Sequence, residues 1–180
     1  MIDINSKPCN FTDGEYDLAV KHLNKDNTLL EYGCGISTIK FSSLVKRLIS
    51  IEHSKPWFIK VQESINYYNI SNVEVHLAEP DDKDSDYAYA PWDLKELSQD
   101  QTVRTDVLKS YIEYQNNFDY DDIFIDGRAR LFCIEEAYKN LTKDSTIIFH
   151  DFINRPWYHS CLNKFEIVDK VDTLAILKKM

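Results

Sequence analysis

Hydrophobic positions along the chain form short apolar or alternating runs, separated by segments of helical periodicity. The runs predict strands at 28–32, 47–52, 72–78, 122–126, 145–149, 165–168 and 173–177. Between them, apolar residues recur every three or four positions, which predicts helices after Thr12, Gly35, Pro56 and Arg128 and over 105–114. The stretch Thr12-Asp13-Gly14-Glu15 matches a capping box at the start of the first helix. Strands and helices alternate until the last two strands, which are close enough to form a hairpin. We therefore expect an α/β fold whose mostly parallel sheet ends in a C-terminal antiparallel hairpin strand.

The length of 180 residues fits one domain with a sizeable core. We expect that domain to span 1–180, with an N-terminal arm and helix at 1–27 and an insert with a helix at 83–118, between strands 3 and 4. The insert is rich in aromatic residues. This composition indicates either a lid that faces a substrate or rings that pack over the sheet edge; the aromatic and proline positions are Tyr87, Tyr89, Pro91 and Trp92.

Net charge limits the class of partner, and cysteine spacing indicates the redox state of the thiols. The net charge is −9 and no basic stripe is present, which disfavours nucleic acid and anionic membrane surfaces as partners. Four cysteines, at positions 9, 34, 133 and 161, lie far apart without metal-ligand spacing and read as reduced thiols. The sequence shows no signal-peptide pattern and no long apolar run, so we expect a cytoplasmic location.

A glycine turn between the first strand and its helix is the first candidate site. Gly33 and Gly35 permit unusual backbone angles and a close approach to a ligand. Ser37 and Thr38 can cap the helix, whose free amides suit a polar group. Glu52 ends the second strand, where a carboxylate can accept both hydroxyls of a ribose. Together these positions predict a nucleoside site.

The glycine pattern differs from a dinucleotide fingerprint. That fingerprint would place a third glycine at position 38, where the chain has Thr38, and an apolar residue at position 31, where it has Glu31. An NAD-dependent oxidoreductase is therefore the less favoured alternative. At the end of the third strand, Glu79 or Asp81 can meet an adenine amine, unless both belong to a solvated acidic loop.

A second group of polar residues follows strands 4 and 5. Asp126, His150 and Asp151 come at carboxyl ends of strands, on the same sheet edge as the glycine turn. A histidine beside two carboxylates can serve as a general base, or the group can bind a divalent cation. The alternative is that the acids cap the following segments and the histidine is structural. Arg128 and Arg155 flank these motifs, as does Arg130, and either bind an anionic group or form surface ion pairs.

Four short stretches together carry a resemblance to a known family; they are Glu31-Tyr32-Gly33-Cys34-Gly35-Ile36-Ser37-Thr38, Ile51-Glu52-His53 with Trp57, Ile125-Asp126-Gly127-Arg128-Ala129-Arg130 and Phe149-His150-Asp151-Phe152. Over roughly 29–177 the chain resembles a group of small class I methyltransferases that depend on S-adenosylmethionine (SAM). In that group, Ser-Thr follows the glycine loop, strand 4 ends in Asp-Gly-Arg and strand 5 in His-Asp. The group includes bacterial and viral proteins linked to polysaccharide modification, and is similar to plant polysaccharide O-methyltransferases.

The resemblance implies a Rossmann-like class I methyltransferase sandwich with SAM as cofactor. The first acid, Glu31, would lie near the methionine end of SAM, and Glu52 would bind the ribose. The expected cofactor-binding residues are Glu31, Gly33, Gly35, Ser37, Thr38, Glu52, His53, Glu79 and Asp126. The expected reaction is methylation of a hydroxyl on a small molecule or carbohydrate, with His150 as base beside Asp126 and Asp151, and with Arg128 and Tyr158 as substrate contacts.

Metal-dependent catechol-type relatives pair an acid after strand 4 with Asp-Asn after strand 5. Here Asp126 and Asp151 match the two acids, but Phe152 replaces the asparagine. A divalent metal such as Mg²⁺ on Asp126 and Asp151, with His150 as a compensating ligand, is thus an open alternative. A non-catalytic protein that binds SAM or a partner is another. The acceptor and the oligomeric state stay open.

Overall fold

The protein is described by a computed structural model that covers residues 2–3, 11–85 and 105–180. Seven strands form one sheet; they are β1 (Thr28–Tyr32), β2 (Arg47–Glu52), β3 (Val73–Leu77), β4 (Asp122–Ile125), β5 (Ile147–Phe149), β6 (Phe165–Val171) and β7 (Leu174–Lys179). Their order is β3-β2-β1-β4-β5-β7-β6. The first five run parallel, whereas β7 is antiparallel to both β5 and β6. The predicted mostly parallel sheet with a C-terminal hairpin is confirmed.

Helices cover both faces of this sheet. The described α-helices are α1 (Asp13–His22), α2 (Ile36–Phe41), α3 (Lys55–Tyr67), α4 (Lys109–Glu113) and α5 (Arg130–Ala137). Short 3₁₀ segments lie at Ser42–Leu44, Tyr114–Asn117 and Pro156–Asn163. The predicted capping box of α1 is present: the Thr12 hydroxyl accepts from the Glu15 amide at 3.2 Å, and the Glu15 carboxylate accepts from the Thr12 amide at 2.9 Å.

The helix expected over 105–114 begins later, at Lys109. Its first turn is capped from elsewhere in the chain, because the Asp81 carboxylate accepts from the Ser110 amide at 2.8 Å and also from the Ser110 hydroxyl. Asp81 therefore caps α4, and its contact with an adenine amine stays a prediction. Thr105, which seemed a natural start, lies in a turn before the helix.

The central strands are buried on both faces, which explains their continuous apolar runs. Leu30 and Ile49 point into one core, which α4 and α5 cover, while Leu29 and Leu48 point into the other, which α1 helps to cover. Because successive strand residues alternate between faces, Glu31 points into the same side as Leu29. This alternation decides which polar groups meet beneath the glycine turn.

Some expectations fall outside the described residues. Cys9 and the aromatic insert residues Tyr87, Tyr89, Pro91 and Trp92 belong to this set. The other three cysteines are buried free thiols, and burial raises the pKa of the Cys161 thiol to about 12. Across 2–3, 11–85 and 105–180, no helix is long and apolar enough to cross a membrane.

Candidate cofactor and reaction site

The turn after β1 crosses the turn after β4 at two glycines. Gly33 has a φ of +91°, and a Cβ atom there would lie 2.7 Å from the Gly127 Cα atom. A Cβ atom on Gly127 would overlap the Tyr111 hydroxyl and lie 2.9 Å from the Gly33 nitrogen. Gly33 was expected to allow a ligand to approach. The structure shows that it allows the two loops to pass each other, and that Gly127 is its necessary partner.

Gly35 is different. Its φ of −175° is an extended conformation, and apart from its chain neighbours no residue within 2–3, 11–85 and 105–180 lies within 4 Å of where its Cβ atom would be. The open space beside Gly35 lies on the loop that joins β1 to α2, at the carboxyl edge of the sheet where ligands of α/β proteins bind. Of the two loop glycines, Gly35 is the one that faces free volume.

Glu31 lies beneath this loop and is fully buried. Its carboxylate accepts from the Ser37 hydroxyl at 2.5 Å, and from the hydroxyls of Thr38 and Ser50 at 2.6 Å each. The Thr38 hydroxyl also accepts from the Gly35 amide at 2.9 Å. Ser37 and Thr38 were expected as helix caps; only Thr38 contributes to the cap, and both hydroxyls hold Glu31. Glu31 therefore holds the start of α2 in place from the buried side of the glycine loop.

Burial raises the pKa of Glu31 to about 7, against the lowering effect of the three hydroxyl hydrogen bonds and with a further upward contribution from Asp126. The folded protein thus keeps this proton up to about pH 7, while the unfolded chain releases it near 4.5. Between these values the folded state binds more protons, so stability falls as the pH rises.

We expect the Glu31→Gln variant to lose this dependence. From the two pKa values, the contribution of Glu31 to the free energy of unfolding should fall by roughly 2–3 kcal/mol between pH 5 and pH 8. Urea denaturation of both proteins at the two pH values measures the difference. Equal pH slopes for wild type and variant would contradict the assignment of a buried, neutral Glu31.

Glu52 is the carboxylate that faces the loop from β2. One oxygen accepts from the Cys34 amide at 2.9 Å; the other accepts from the Ser54 amide at 2.7 Å and lies 2.9 Å from His53 Nδ1. Burial alone would raise the pKa of Glu52, but the contact with His53 and the two amide hydrogen bonds lower it below its ordinary value. A buried, ionised carboxylate thus joins the end of β2 to the glycine loop.

Two other expected cofactor contacts have local partners. His53 orients Glu52 and lies edge-on to the Tyr111 ring, with centroids 5.7 Å apart. Glu79 is partly exposed and forms an ion pair with Lys83 at 2.8 Å. Neither arrangement tests a role in ligand binding, so both residues stay predictions.

The expected convergence of the second group is present. His150 Nδ1 lies 2.7 Å from Asp126 Oδ1 and 3.9 Å from Asp151 Oδ2. The His150 side chain is only 3% exposed and packs edge-on against Phe11, while the side chains of Asp126 and Asp151 are 24% and 19% exposed. The imidazole therefore lies behind the carboxylates, and Asp126 is the member of the pair that reaches the surface.

Glu15 completes this group from α1. Its carboxylate is buried, accepts from the Thr173 amide at 2.8 Å and hydroxyl at 2.6 Å, and lies 3.7 Å from His150 Nε2. Burial would raise the pKa of Glu15, but the hydrogen bonds from Thr173 and Thr12 outweigh it and lower the pKa. Sequence reasoning found Glu15 only as half of a capping box. Its position beside His150 depends on long-range packing that no local pattern indicates.

Arg130 crosses the same group from α5. Nε donates to the Gly127 carbonyl at 2.9 Å, and Nη1 donates to the His150 carbonyl at 2.5 Å and to Asp151 Oδ2 at 3.1 Å. Nη2 contacts the Asp126 carbonyl and Oδ1, both at 3.1 Å. Its side chain is 2% exposed. The ion pairs of Arg130 are therefore buried, not at the surface as considered from the sequence, because its charge faces inward.

The remaining arginines and Tyr158 differ in their surroundings. Arg155 pairs with Asp151 at 2.8 Å. Arg128 is half-buried, and burial lowers its pKa while Tyr111, Tyr158 and Glu52 oppose that shift. Tyr158 was expected to contact substrate, but it is 2% exposed and belongs to the apolar core, with its ring 5.2 Å from that of Phe149. Among these residues, Arg128 is the stronger candidate for an acceptor contact.

The residues do not fit the divalent metal considered from the sequence. Asp126, His150 and Asp151 offer atoms within 4.8 Å of one another. However, Asp126 Oδ1 and Asp151 Oδ2 both lie 3.1 Å from the Arg130 guanidinium, and Asp126 Oδ1 also contacts His150. A divalent cation needs several oxygen ligands at roughly 2.0–2.6 Å. The guanidinium already bonds to one oxygen of each carboxylate and would compete with a cation for them.

Comparison with known proteins complements this geometry. No protein-family model matches the chain, and no curated protein matches it either. Solved structures do. A methyltransferase-like protein of Silicibacter pomeroyi superposes with a TM-score of 0.70 at 20% identity, covering 96% of this chain and 89% of its own. A ribosomal protein L11 methylase of Lactobacillus delbrueckii gives 0.61 at 16% identity, covering 92% and 78%.

A third structure is a methyltransferase candidate of Streptococcus mutans in complex with S-adenosylhomocysteine (SAH), with a TM-score of 0.57 at 13% identity, covering 93% of this chain and 97% of its own. The chain has the methyltransferase fold. At these identities the likeness concerns the fold. The methyltransferase fold agrees with the expected Rossmann-like sandwich, while the resemblance to the smaller Asp-Gly-Arg and His-Asp group stays a prediction.

Proposed function

We propose that the protein is a SAM-dependent methyltransferase that methylates a hydroxyl of a small-molecule or carbohydrate acceptor. The observation that carries this proposal is the ionised Glu52 carboxylate joined to the glycine loop, on the same sheet edge as the Asp126–His150 pair. In a methyltransferase fold, this arrangement combines a nucleoside-binding acid with a group that can accept a proton.

The binding half of the proposal rests on Glu52 and Gly35. Ser54 and His53 share one Glu52 oxygen, whereas the other oxygen accepts only from the Cys34 amide and keeps acceptor capacity for a ribose hydroxyl. The open space beside Gly35 admits the adjoining part of the ligand. The presence of SAH in the S. mutans structure supports the choice of ligand.

The chemical half rests on Asp126. SAM supplies an electrophilic methyl group on a sulfonium, and the acceptor hydroxyl must lose a proton as its oxygen forms the new bond to carbon. The Asp126 side chain, which is 24% exposed against 3% for His150, receives this proton. His150 Nδ1 lies 2.7 Å behind Asp126 Oδ1 and accepts the proton from it. The ionised Glu15 near Nε2 stabilises the positive charge that His150 then carries. His150, expected from the sequence to contact the acceptor, thus acts through Asp126.

Arg128 gives the acceptor side a fixed cation. Its burial makes the guanidinium poorly hydrated, which favours pairing with a carboxylate or phosphate on the acceptor. We propose an acceptor that carries both a hydroxyl and an anionic group. The net charge of −9 disfavours nucleic acid and anionic membrane surfaces as partners, as expected from the sequence.

We expect the His150→Ala variant to bind SAM with wild-type affinity while methyl transfer falls by about 100-fold or more, because a positioned proton acceptor typically contributes that much. Calorimetry measures the first quantity. Transfer of labelled methyl from SAM to a panel of hydroxylated, anionic acceptors measures the second. His22→Ala is the matched control, since His22 pairs with Asp169 near the surface, away from the loop. Turnover of His150→Ala at the wild-type rate would remove His150 from the mechanism.

A second candidate function is SAM binding without transfer. The enclosure of His150 and the internal pairing of Arg130 favour it, since both groups are engaged within the protein. It predicts SAM affinity, lost on removal of Glu52, together with no turnover of any acceptor in the panel.

A further inference from the structure

The reacting edge contains a permanent cation. The five contacts of Arg130 match the five N–H donors of a guanidinium: one from Nε, two from Nη1 and two from Nη2. Three go to backbone carbonyls and two to carboxylates. A lysine ammonium has three donors at one point and cannot reproduce this fork.

These contacts connect the ends of two strands. The carbonyls of Asp126 and Gly127 follow β4, and that of His150 follows β5. Arg130 therefore fixes how the turn after β4 lies against the turn after β5. Since Asp126 belongs to the first turn and His150 to the second, the 2.7 Å contact between them depends on this connection.

Two residues next to the Arg130 side chain, one before it in the chain and one after β5, have left-handed backbone conformations. Ala129 has a φ of +48° and Asp151 has a φ of +58°, a left-handed conformation that non-glycine residues rarely adopt. The conformation of Ala129 precedes the first turn of α5 and lets the Arg130 side chain turn inward below the loop. Such a conformation persists only where surrounding contacts determine it, and the contacts of Arg130 are the ones present.

Asp126 and Asp151 are each paired with a cation of the protein itself. Arg130 compensates Asp126 and Asp151, and Arg155 gives Asp151 a second cation at 2.8 Å. Burial alone would raise the pKa of Asp151, but Arg130, His150 and Arg155 lower it. A dication added beside Arg130 would face a fixed like charge, with the two inward-facing carboxylate oxygens already used.

We propose that Arg130 is the positioning residue of this site, doing with a guanidinium what catechol-type relatives do with a metal ion, and that the site is independent of divalent cations. Arg130 holds Asp126 at the surface and in contact with His150, and it does not itself touch the acceptor. The turnover readout below rests on the proposed function, whereas the metal-binding readout does not.

The first test uses Mn²⁺ as probe, with the wild-type chain. Electron paramagnetic resonance of Mn²⁺ titrated with EDTA-treated protein should show no stoichiometric binding at millimolar ion. Turnover after EDTA treatment should equal turnover with added Mg²⁺. Stoichiometric Mn²⁺ binding that the Asp126→Asn variant abolishes would overturn the proposal, and so would activity that EDTA removes and Mg²⁺ restores.

The second test uses the variants Arg130→Lys and Arg155→Met. Arg155→Met is the control, because it removes a cation that pairs with Asp151, whereas Arg130→Lys keeps its charge and loses the donor fork that reaches the carbonyls. We expect Arg130→Lys to lower kcat by about 100-fold with SAM affinity unchanged and no recovery with Mg²⁺, and Arg155→Met to stay within about threefold of wild type. Equal losses in both variants, or wild-type kcat in Arg130→Lys, would overturn the positioning role. Absence of SAM binding in the wild type would sink the proposed function instead, and the Mn²⁺ result would still decide the first test.

Discussion

The Gly127→Ala variant is expected to lose about 3 kcal/mol or more of unfolding free energy, the upper range for an added buried methylene. The new methyl group would overlap the hydroxyl of Tyr111, which is fully buried, and would lie 2.9 Å from the Gly33 nitrogen and the Tyr32 carbonyl carbon. Two of these three neighbours are backbone atoms and cannot move aside. Urea denaturation followed by far-UV circular dichroism measures the loss.

Two further variants identify the cause. Tyr111→Phe combined with Gly127→Ala should recover part of the loss, because it removes the hydroxyl that the methyl group meets first. Gly35→Ala is the matched control, since its methyl group would enter open space and the free protein should keep its stability within about 0.5 kcal/mol. Wild-type stability of Gly127→Ala would show that the two glycine turns do not pass each other as described.

The Glu52→Ala variant is expected to bind SAM about 100-fold more weakly than wild type. The ribose hydroxyls would lose hydrogen bonds to an ionised acceptor, each worth about 1.5–3 kcal/mol. The amide of Cys34 would also lose its partner, which loosens the glycine loop. Calorimetric titration measures the affinity. Glu52→Gln keeps the shape but not the charge, so its SAM affinity should lie between those of wild type and Glu52→Ala.

Glu74→Ala is the control for this change. Glu74 is another carboxylate near β2, but it is half-exposed and pairs with Arg47 at 2.8 Å. Its removal should leave SAM affinity unchanged. Equal weakening by both variants would indicate a general effect of net charge, and no weakening by Glu52→Ala would place the ligand elsewhere.

The framework of the fold could be predicted because it is written in local patterns. Apolar runs bounded by polar residues predicted β1 and β2 at their observed limits, and Thr12 with Glu15 predicted the start of α1. The start of α4 could not be predicted, since its cap, Asp81, comes from a loop distant in sequence. A local sequence pattern does not show which distant residue will cap a helix.

The site shows the same division. The convergence of Asp126 with His150 followed from the rule that parallel strands end at one edge, and the structure confirms that they meet. The sequence rule did not predict which of these residues lie deeper in the protein. His150 lies behind Asp126, Glu31 faces hydroxyls beneath the loop, and Gly33 meets Gly127. These details depend on which face of a strand each residue occupies and on which loops cross.

Arg130 is the clearest case of a residue whose type was visible while its role was not. A cation beside two acids admitted both a surface ion pair and a metal site in the sequence. The left-handed backbone at Ala129 and the inward path of the side chain place the ion pairs of Arg130 inside the protein. Strained conformations of non-glycine residues are not encoded in any short pattern.

Calorimetric titration of the wild-type chain with SAM, SAH and NADH tests the central claim most directly. We expect SAM and SAH each to bind at one site, and we expect NADH not to bind. Binding of NADH alone would contradict the account in favour of an oxidoreductase. Absence of binding by all three ligands would contradict the assignment of the glycine loop and Glu52 as a nucleoside site.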